Sequence, residues 1–304
     1  MSESRRDKTM EQLKALKLGS IRRVYDEVLD RVLKGRKGPE DFLGELLDQE
    51  VAARKVSALN NRIKKARLPQ IKDLDVFKFE ETSVDESVVR RLYDGDFVQE
   101  KKNVVFMGGS GTGKTHLAIS IGVNLIRQGH KVRFWNLVDL VNELEKEKEE
   151  HKTGGVQRRM KGYSLVILDE LGYLPFTAQG AQLLFHLMST WYENLPVIIT
   201  TNLEFKEWDS MFHNQKMTIA LLDRLTHHCE IVETGMASYR LKTRQQESSK
   251  KSKTGGKGLQ AEQKCVKKAA RVGQFSLQLE GQFWLQLYIR RSDARHGLRY
   301  SFNM

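Results

Sequence analysis

Four glycines crowd the eleven residues FMGGSGTGKTH, positions 106–116, where an apolar run ends and a lysine follows. The stretch satisfies G-x-x-x-x-G-K-[ST] at Gly108, Gly113, Lys114 and Thr115. Before it stands NVVFMG, an apolar run of strand type; after it comes KTHLAISIGVNLIRQG, which has helical period. Strand, glycine loop and helix in that order make a phosphate cradle. Gly108, Gly109, Gly111 and Gly113 let successive N–H groups, with those of Ser110 and Thr112, turn inward, and the helix adds its positive N-terminus. Lys114 then reaches the β- and γ-phosphates, the Thr115 hydroxyl ligates Mg²⁺, and His116 completes the nucleotide-binding stretch. The expected cofactors are ATP and Mg²⁺.

Such a cradle implies a parallel sheet behind it. The runs NVVFMG, KVRFWN, SLVILDE and PVIITTN read as strands, and KTHLAISIGVNLIRQG, LVDLVNELEKEKEEH and AQGAQLLFHLMSTWYE as the helices between them. Near-continuous apolar strands alternating with helices predict an α/β fold, a parallel sheet covered on both faces. LVILDE sets Asp169 and Glu170 at a strand end. Asp169 suits the Mg²⁺-associated acid, and Glu170 suits a base that positions an attacking water. A metabolic kinase needs no such glutamate, so the pair favours hydrolysis. Asn202, closing VIITTN, is a neutral donor for the water or the γ-phosphate. Taken alone, Arg224 in LLDRLTHH and Arg240 in SYRLK are arginines near acids, a type that more often forms surface ion pairs. His227 and His228 lack a third ligand nearby and read as structural.

Upstream, residues 10–68 read as helices. SIRRVYDEVLDRVL repeats Ile21, Val24, Val28 and Val32 at helical spacing, with Ser20 as the expected N-cap. Pro39 then opens a second helix with acids in its first turn and Arg62, Lys64, Lys65 and Arg67 at its end. Those cations either complement the helix dipole or contact phosphates. The expected boundaries are a helical domain over 1–75, a polar connector over 76–100, an ATPase domain over 101–245 and a basic tail over 246–304.

The net charge of +12 belongs mostly to that tail. Residues 241–304 hold 14 Lys and Arg against 4 Asp and Glu, leaving 37 against 35 before them, so any nucleic-acid contact of the body must come from local patches. The tail is Ser-, Lys- and Gly-rich and predicts disorder, followed by the repeat GQFSLQLE–GQFWLQLY at 273–288, either a hairpin or a by-product of repetitive coding sequence. Cys229 and Cys265 form no CxxC, which argues against a disulfide framework or zinc site. No apolar run approaches the ~18 residues of a membrane span and the first ten residues are too polar for a signal peptide, so a cytoplasmic protein is expected.

Together, GTGKTHLA, LVILDELGYLPF, LLFHLMSTWYE, VIITTNLEFKEW, LLDRLTHH and SYRLK resemble, in order, the motifs of the IstB-like ATPases. These are AAA+ helper proteins of bacterial insertion sequences, related to the DnaC helicase loader. The N-terminal segments LKALKLGSI, FLGELLDQEVAAR and RIKKARLP resemble that family's helical domain, and the likeness spans residues 10–244. It implies a P-loop AAA+ ATPase preceded by a small all-helical domain. Arg224 then matches the arginine finger that reaches a neighbouring protomer's γ-phosphate, Arg240 the sensor-2 arginine of its own protomer, and Asn202 sensor 1. The resemblance further implies a homo-oligomer that assembles on double-stranded DNA with ATP, bends it, and recruits or stimulates a partner transposase. The alternative partner is a replicative helicase. Lys152, Arg158, Arg159 and Lys161 fall where the family lines its DNA channel. The loop departs from the commoner GPPG in having GGSG, and residues 246–304 have no counterpart in the family. A nucleotide-dependent scaffold that does not hydrolyse is a third reading, which Glu170 opposes.

Overall fold

Helical periodicity at the N-terminus becomes three helices: α1 (Arg5–Ala15), α2 (Gly19–Lys34) and α3 (Pro39–Ala66). The structure, a computed structural model, describes residues 4–35, 38–152, 154–173, 175–236 and 238–239. Arg240, Cys265 and the tail with its repeat lie outside the described residues. Ile21, Val28 and Val32 of α2 pack on Leu46 of α3, with the Tyr25 and Phe42 rings edge to face at 5.4 Å. Ser20 is not the N-cap. The helix begins at Gly19, and the Ser20 and Ile21 N–H groups donate to Glu50 Oε2 of α3 at 3.0 and 3.3 Å. A carboxylate from the facing helix satisfies the orphan donors instead. The Arg54 guanidinium foremost, and those two N–H groups, hold the Glu50 carboxyl below the usual carboxylate range. Pro39 takes the first helical position, and Asp41 accepts from the Gly38 N–H at 3.0 Å.

Residues 76–100 are not a bare connector. They carry α4 (Glu86–Asp94) and α5 (Asp96–Gln99), whose Val89, Leu92, Phe97 and Val98 are buried. Five strands follow: β1 (Asn103–Met107), β2 (Val132–Asn136), β3 (Leu165–Leu171), β4 (Val197–Thr201) and β5 (Cys229–Glu233). All pair in parallel, in the order β2-β3-β4-β1-β5. Between them run α6 (Lys114–Gln128), α7 (Leu137–Glu149), α8 (Gly155–Met160), α9 (Ala178–Trp191), α10 (Asp209–Phe212) and α11 (Gln215–Thr226).

The strands divide their apolar side chains by alternation. Val104, Phe106, Phe134, Leu165, Ile167 and Ile198 face a core shared with α6, α4 and the end of α3. Val105, Trp135, Val166, Leu168, Val197 and Ile199 face the opposite core, filled by α7, α9, α10 and α11. A strand buried on both faces has no polar side, which is why each reads as a continuous apolar run. β5, one of the two edge strands, escapes that reading because only Val232 of its five residues is buried. Its Cys229 thiol is pushed up to about 12, by burial foremost, and is inert near neutral pH. Among the described residues no helix is long and apolar enough to cross a membrane.

Candidate nucleotide site

The loop that follows β1 is shaped from behind. Gly108 has φ 150°, and a side chain there would begin 2.5 Å from Thr234 Oγ1 and 2.6 Å from the Gly235 carbonyl. Gly113 caps α6 with φ 100°, a left-handed conformation that favours glycine, and a Cβ would strike the Phe77 ring at 2.5 Å. Residues after β5 bind the loop's outer side. The Gly109 N–H donates to the Gly235 carbonyl at 2.8 Å, the Tyr239 N–H to the Gly111 carbonyl at 3.1 Å, and the Thr112 and Thr234 hydroxyls lie 2.6 Å apart. Nothing in the glycine motif itself signals these partners.

Lys114 is buried, with Nζ donating to the Gly108 and Gly109 carbonyls at 2.8 and 2.7 Å. Its ammonium thus lies over the cradle. Thr115 Oγ1 donates to Asp169 Oδ1 at 2.8 Å, and Thr200 Oγ1 to the same oxygen at 2.5 Å. Burial foremost raises the Asp169 carboxyl above its ordinary value, opposed by those two hydroxyls. A hydroxyl and a carboxylate side by side suit the hard oxygen coordination of Mg²⁺, which takes few protein ligands and completes its shell with phosphate oxygens and water. Residues of this chain fit that ion.

Glu170 faces the other way. A register shift between β3 and β4 at Leu168–Leu171 lets Asp169 point inward while Glu170 is exposed. Glu170 holds φ 66°, an uncommon conformation for a side-chain-bearing residue, and its N–H donates to Thr200 Oγ1 at 3.0 Å. Its Oε2 accepts from Asn136 Nδ2 at 2.7 Å, while Asn136 Oδ1 caps α7 by accepting from the Val138 N–H at 3.0 Å. The sequence reading passes over Asn136. The available signal is a polar residue ending the strand KVRFWN, which the register sets beside Asp169. Asn202 follows β4 at the same sheet edge, exposed, its Oδ1 2.8 Å from where a Gly172 side chain would begin. The loop, both acids and Asn202 therefore converge at the C-terminal ends of the strands, where open α/β sheets bind ligands.

His116 turns away from that cluster. Its Nε2 lies 3.0 Å from the Asp73 carbonyl, its ring stands edge-on to Phe77 at 5.3 Å, and burial lowers its pKa.

Arg224 lies at the opposite end of the sheet. It lines a cleft with Asn103 and Val197, the first residues of β1 and β4. Its Nη1 donates to Ser189 Oγ, and its guanidinium sits 5.1 Å over Phe185. Among the described residues it forms no ion pair with an acid. A five-residue strand at roughly 3.3 Å per residue separates it from its own Lys114. The His227 ring meets that of His228 edge to face at 4.2 Å, and its Nδ1 lies 3.4 Å from Tyr192 Oη; among the described residues no group of three or more His, Cys, Asp or Glu side chains is placed to hold a metal.

Two basic stretches that are far apart in sequence meet at β2. Buried Arg133 stacks 4.5 Å over Trp135, and its Nη1 donates to the Lys65 carbonyl at the end of α3 at 3.0 Å. Burial foremost lowers its pKa, with Arg67 of that helix end and Arg159 of α8 adding to the effect. Arg159 is held by Glu143 and Glu147 of α7, and Lys152 by Glu150.

A lysine and threonine opening the helix after β1, with an acid pair two strands away, make this chain a P-loop ATPase, and its five parallel strands carry the AAA+ arrangement. Within that class it belongs to the IstB-like ATP binding protein family, whose sequence profile matches residues 11–247. The ATP-binding protein of insertion sequence IS21 from Pseudomonas aeruginosa is 36% identical over 231 residues, covering 76% of this chain and 87% of that one. The corresponding protein of insertion sequence IS5376 from Geobacillus stearothermophilus is 37% identical over 211 residues, covering 69% and 84%. The DnaC helicase loader structure shares 20% identity at TM-score 0.40, covering 56% of this chain and 96% of that one.

Proposed function

We propose that this chain is a helper ATPase of DNA transposition: it assembles with copies of itself on double-stranded DNA, and the assembly recruits or stimulates a partner transposase. The observation that carries the reading is the division of the site, with loop and acids at one end of the sheet and Arg224 at the other. An arginine so placed completes a site only on a neighbouring copy.

In this reading the cradle and Lys114 hold the ATP phosphates, and Thr115 with Asp169 holds Mg²⁺, which when bound neutralises charge on the phosphate oxygens. Glu170 orients a water and takes its proton as the water attacks the γ-phosphorus, while the bond from that phosphorus to the bridging oxygen breaks and ADP leaves. Asn202 steadies that water or the γ-phosphate. Arg224 from the neighbour stabilises charge building on the transferred group. Arg240 contacts nucleotide in its own protomer. The basic end of α3, tied to β2 by the Arg133–Lys65 hydrogen bond, supports DNA contact, with Lys152, Arg158, Arg159 and Lys161 as further phosphate partners.

Phosphate release and duplex-DNA binding, measured with ATP, without it, and with a candidate partner transposase, test the proposal. Expected are ATP-dependent binding that weakens steeply with salt, and capture of the transposase by the DNA-bound assembly. DNA binding indifferent to ATP, or capture of a replicative helicase in place of the transposase, would sink it.

A further inference from the structure

Helix α9 turns Leu184, Leu187, Met188 and Trp191 into the core and leaves Phe185 and Ser189 half-buried on its flank. Four residues apart, these two share one face of the helix, and α11 lays Arg224 across both. The Ser189 hydroxyl accepts from Arg224 Nη1, and the guanidinium carbon stands 5.1 Å over the Phe185 ring. One contact holds an edge of the planar group and the other holds a face, and together they fix where it points. Neither side chain has a part in the chemistry of the cradle, which lies at the other end of the strands.

Both partners are neutral. Among the described residues Arg224 has no carboxylate beside it. A carboxylate would fix the guanidinium as well, but it would also compensate the charge that a γ-phosphate is to meet. A hydroxyl and an aromatic face orient the cation and leave its charge whole. They leave donors too: a guanidinium carries five N–H groups, and Ser189 engages only one of its nitrogens. A cation held in place beforehand costs no reorganisation when charge builds on the transferred group. A long arginine without such contacts would first have to give up its rotamer freedom.

We propose that Ser189 and Phe185 are positioning residues that aim Arg224 at the γ-phosphate held by a neighbouring copy. This rests on the trans role given to Arg224 under the proposed function. It adds a second requirement for hydrolysis, carried by α9 rather than by the cradle. That helix must present a hydroxyl and an aromatic ring four residues apart, and a shift of α9 against α11 would misdirect the arginine.

Steady-state phosphate release by the full chain is the test, at protein concentrations where sedimentation with ATP shows the oligomer complete. Ser189→Ala should bind ATP as the wild type does, with KM unchanged, while kcat falls roughly 10- to 100-fold, as expected for one lost hydrogen bond to a charged group. Phe185→Leu keeps bulk but loses the π face, and should lose about 2- to 5-fold. Ser189→Thr keeps the hydroxyl and should retain most of the rate. If Ser189→Ala misfolds, Ser189→Cys under reducing conditions nearly keeps the volume but is a weak acceptor, and the same loss is expected of it. Mixing separates a defect of aim from a merely structural one. Adding Lys114→Ala, which brings an intact arginine on intact partners, should raise hydrolysis per Ser189→Ala chain toward the wild-type rate; adding Arg224→Ala should not. Rates in Ser189→Ala or Ser189→Cys equal to the wild type would overturn the proposal, and faster rates would mean that Ser189 holds the arginine back. A slow Ser189→Ala that Lys114→Ala fails to recover, while it does recover Arg224→Ala, would overturn it alone. If Arg224→Ala is itself not recovered, the trans role falls first and the positioning role with it.

Discussion

Lys114 and Glu170 stand at the same end of the strands, and the proposed function gives them different parts of the reaction. Lys114 bends over the Gly108 and Gly109 carbonyls, where phosphates would arrive, whereas Glu170 is held away from the loop by Asn136. Their variants should therefore fail differently. Lys114→Ala should weaken ATP binding by about 100-fold or more, since charge-assisted bonds at about 1.5–3 kcal/mol each are lost. Glu170→Gln should bind ATP within a few-fold of wild type and hydrolyse it roughly 10²–10⁴ times more slowly, the usual range for a lost general base. Calorimetric titration beside single-turnover phosphate release separates the two. Equal loss of affinity in both would remove these role assignments. At this scale the glycine motif and Asp169–Glu170 are legible because phosphate chemistry fixes residue types at short spacing. Asn136 is not legible: its partner lies 34 positions away and only the β2–β3 register joins them.

Among elements, those with internal periodicity announce themselves and those completed by neighbours do not. The first four strands and their helices follow from apolar runs and 3.6-residue spacing. β5 carries Glu230 and Glu233 at the sheet edge, so no apolar run marks it. α4 and α5 hide in a polar stretch because each is short and buries only two residues. The start of α2 misleads for the same reason: Ser20 looks like a cap, while Glu50 from thirty residues away does the work. Glu50 has a folded pKa below its unfolded value. Its contribution is therefore present above the ordinary carboxylate range, near 4.3, and is lost as pH falls through the lowered folded value. Glu50→Gln should be less stable than wild type at neutral pH, with the two unfolding curves converging in acid. Denaturant melts at several pH values, followed by helical circular dichroism, would show this; a gap that persists in acid would mean the carboxylate charge is not what holds α2.

For the whole molecule, a five-strand sheet puts the cradle and Arg224 at opposite ends, and under the proposed function that geometry would make hydrolysis a property of neighbours. The rate should rise faster than linearly with protein concentration. Arg224→Ala should bind ATP nearly normally yet hydrolyse it poorly. Mixing it with Lys114→Ala should recover activity, since one variant brings an intact arginine and the other an intact cradle. A mixture as inactive as its parts, with mixed oligomers shown to form, would return Arg224 to its own chain. The hydrogen bonds that join Thr234, Gly235 and Tyr239 with the loop carry a different consequence. The edge strand β5 and the loop form one fastening, so a ligand gripped by the loop also resists the fraying of that edge. At a hundredfold excess over its dissociation constant, ATP would add about 2.7 kcal/mol against any opening that frees the loop. The amide hydrogens of Val232 and Thr234, which face β1, should then exchange roughly a hundredfold more slowly with ATP present, and unchanged in Lys114→Ala. The last strand of the sheet would thus record, as slowed isotope exchange, whether the first loop is filled.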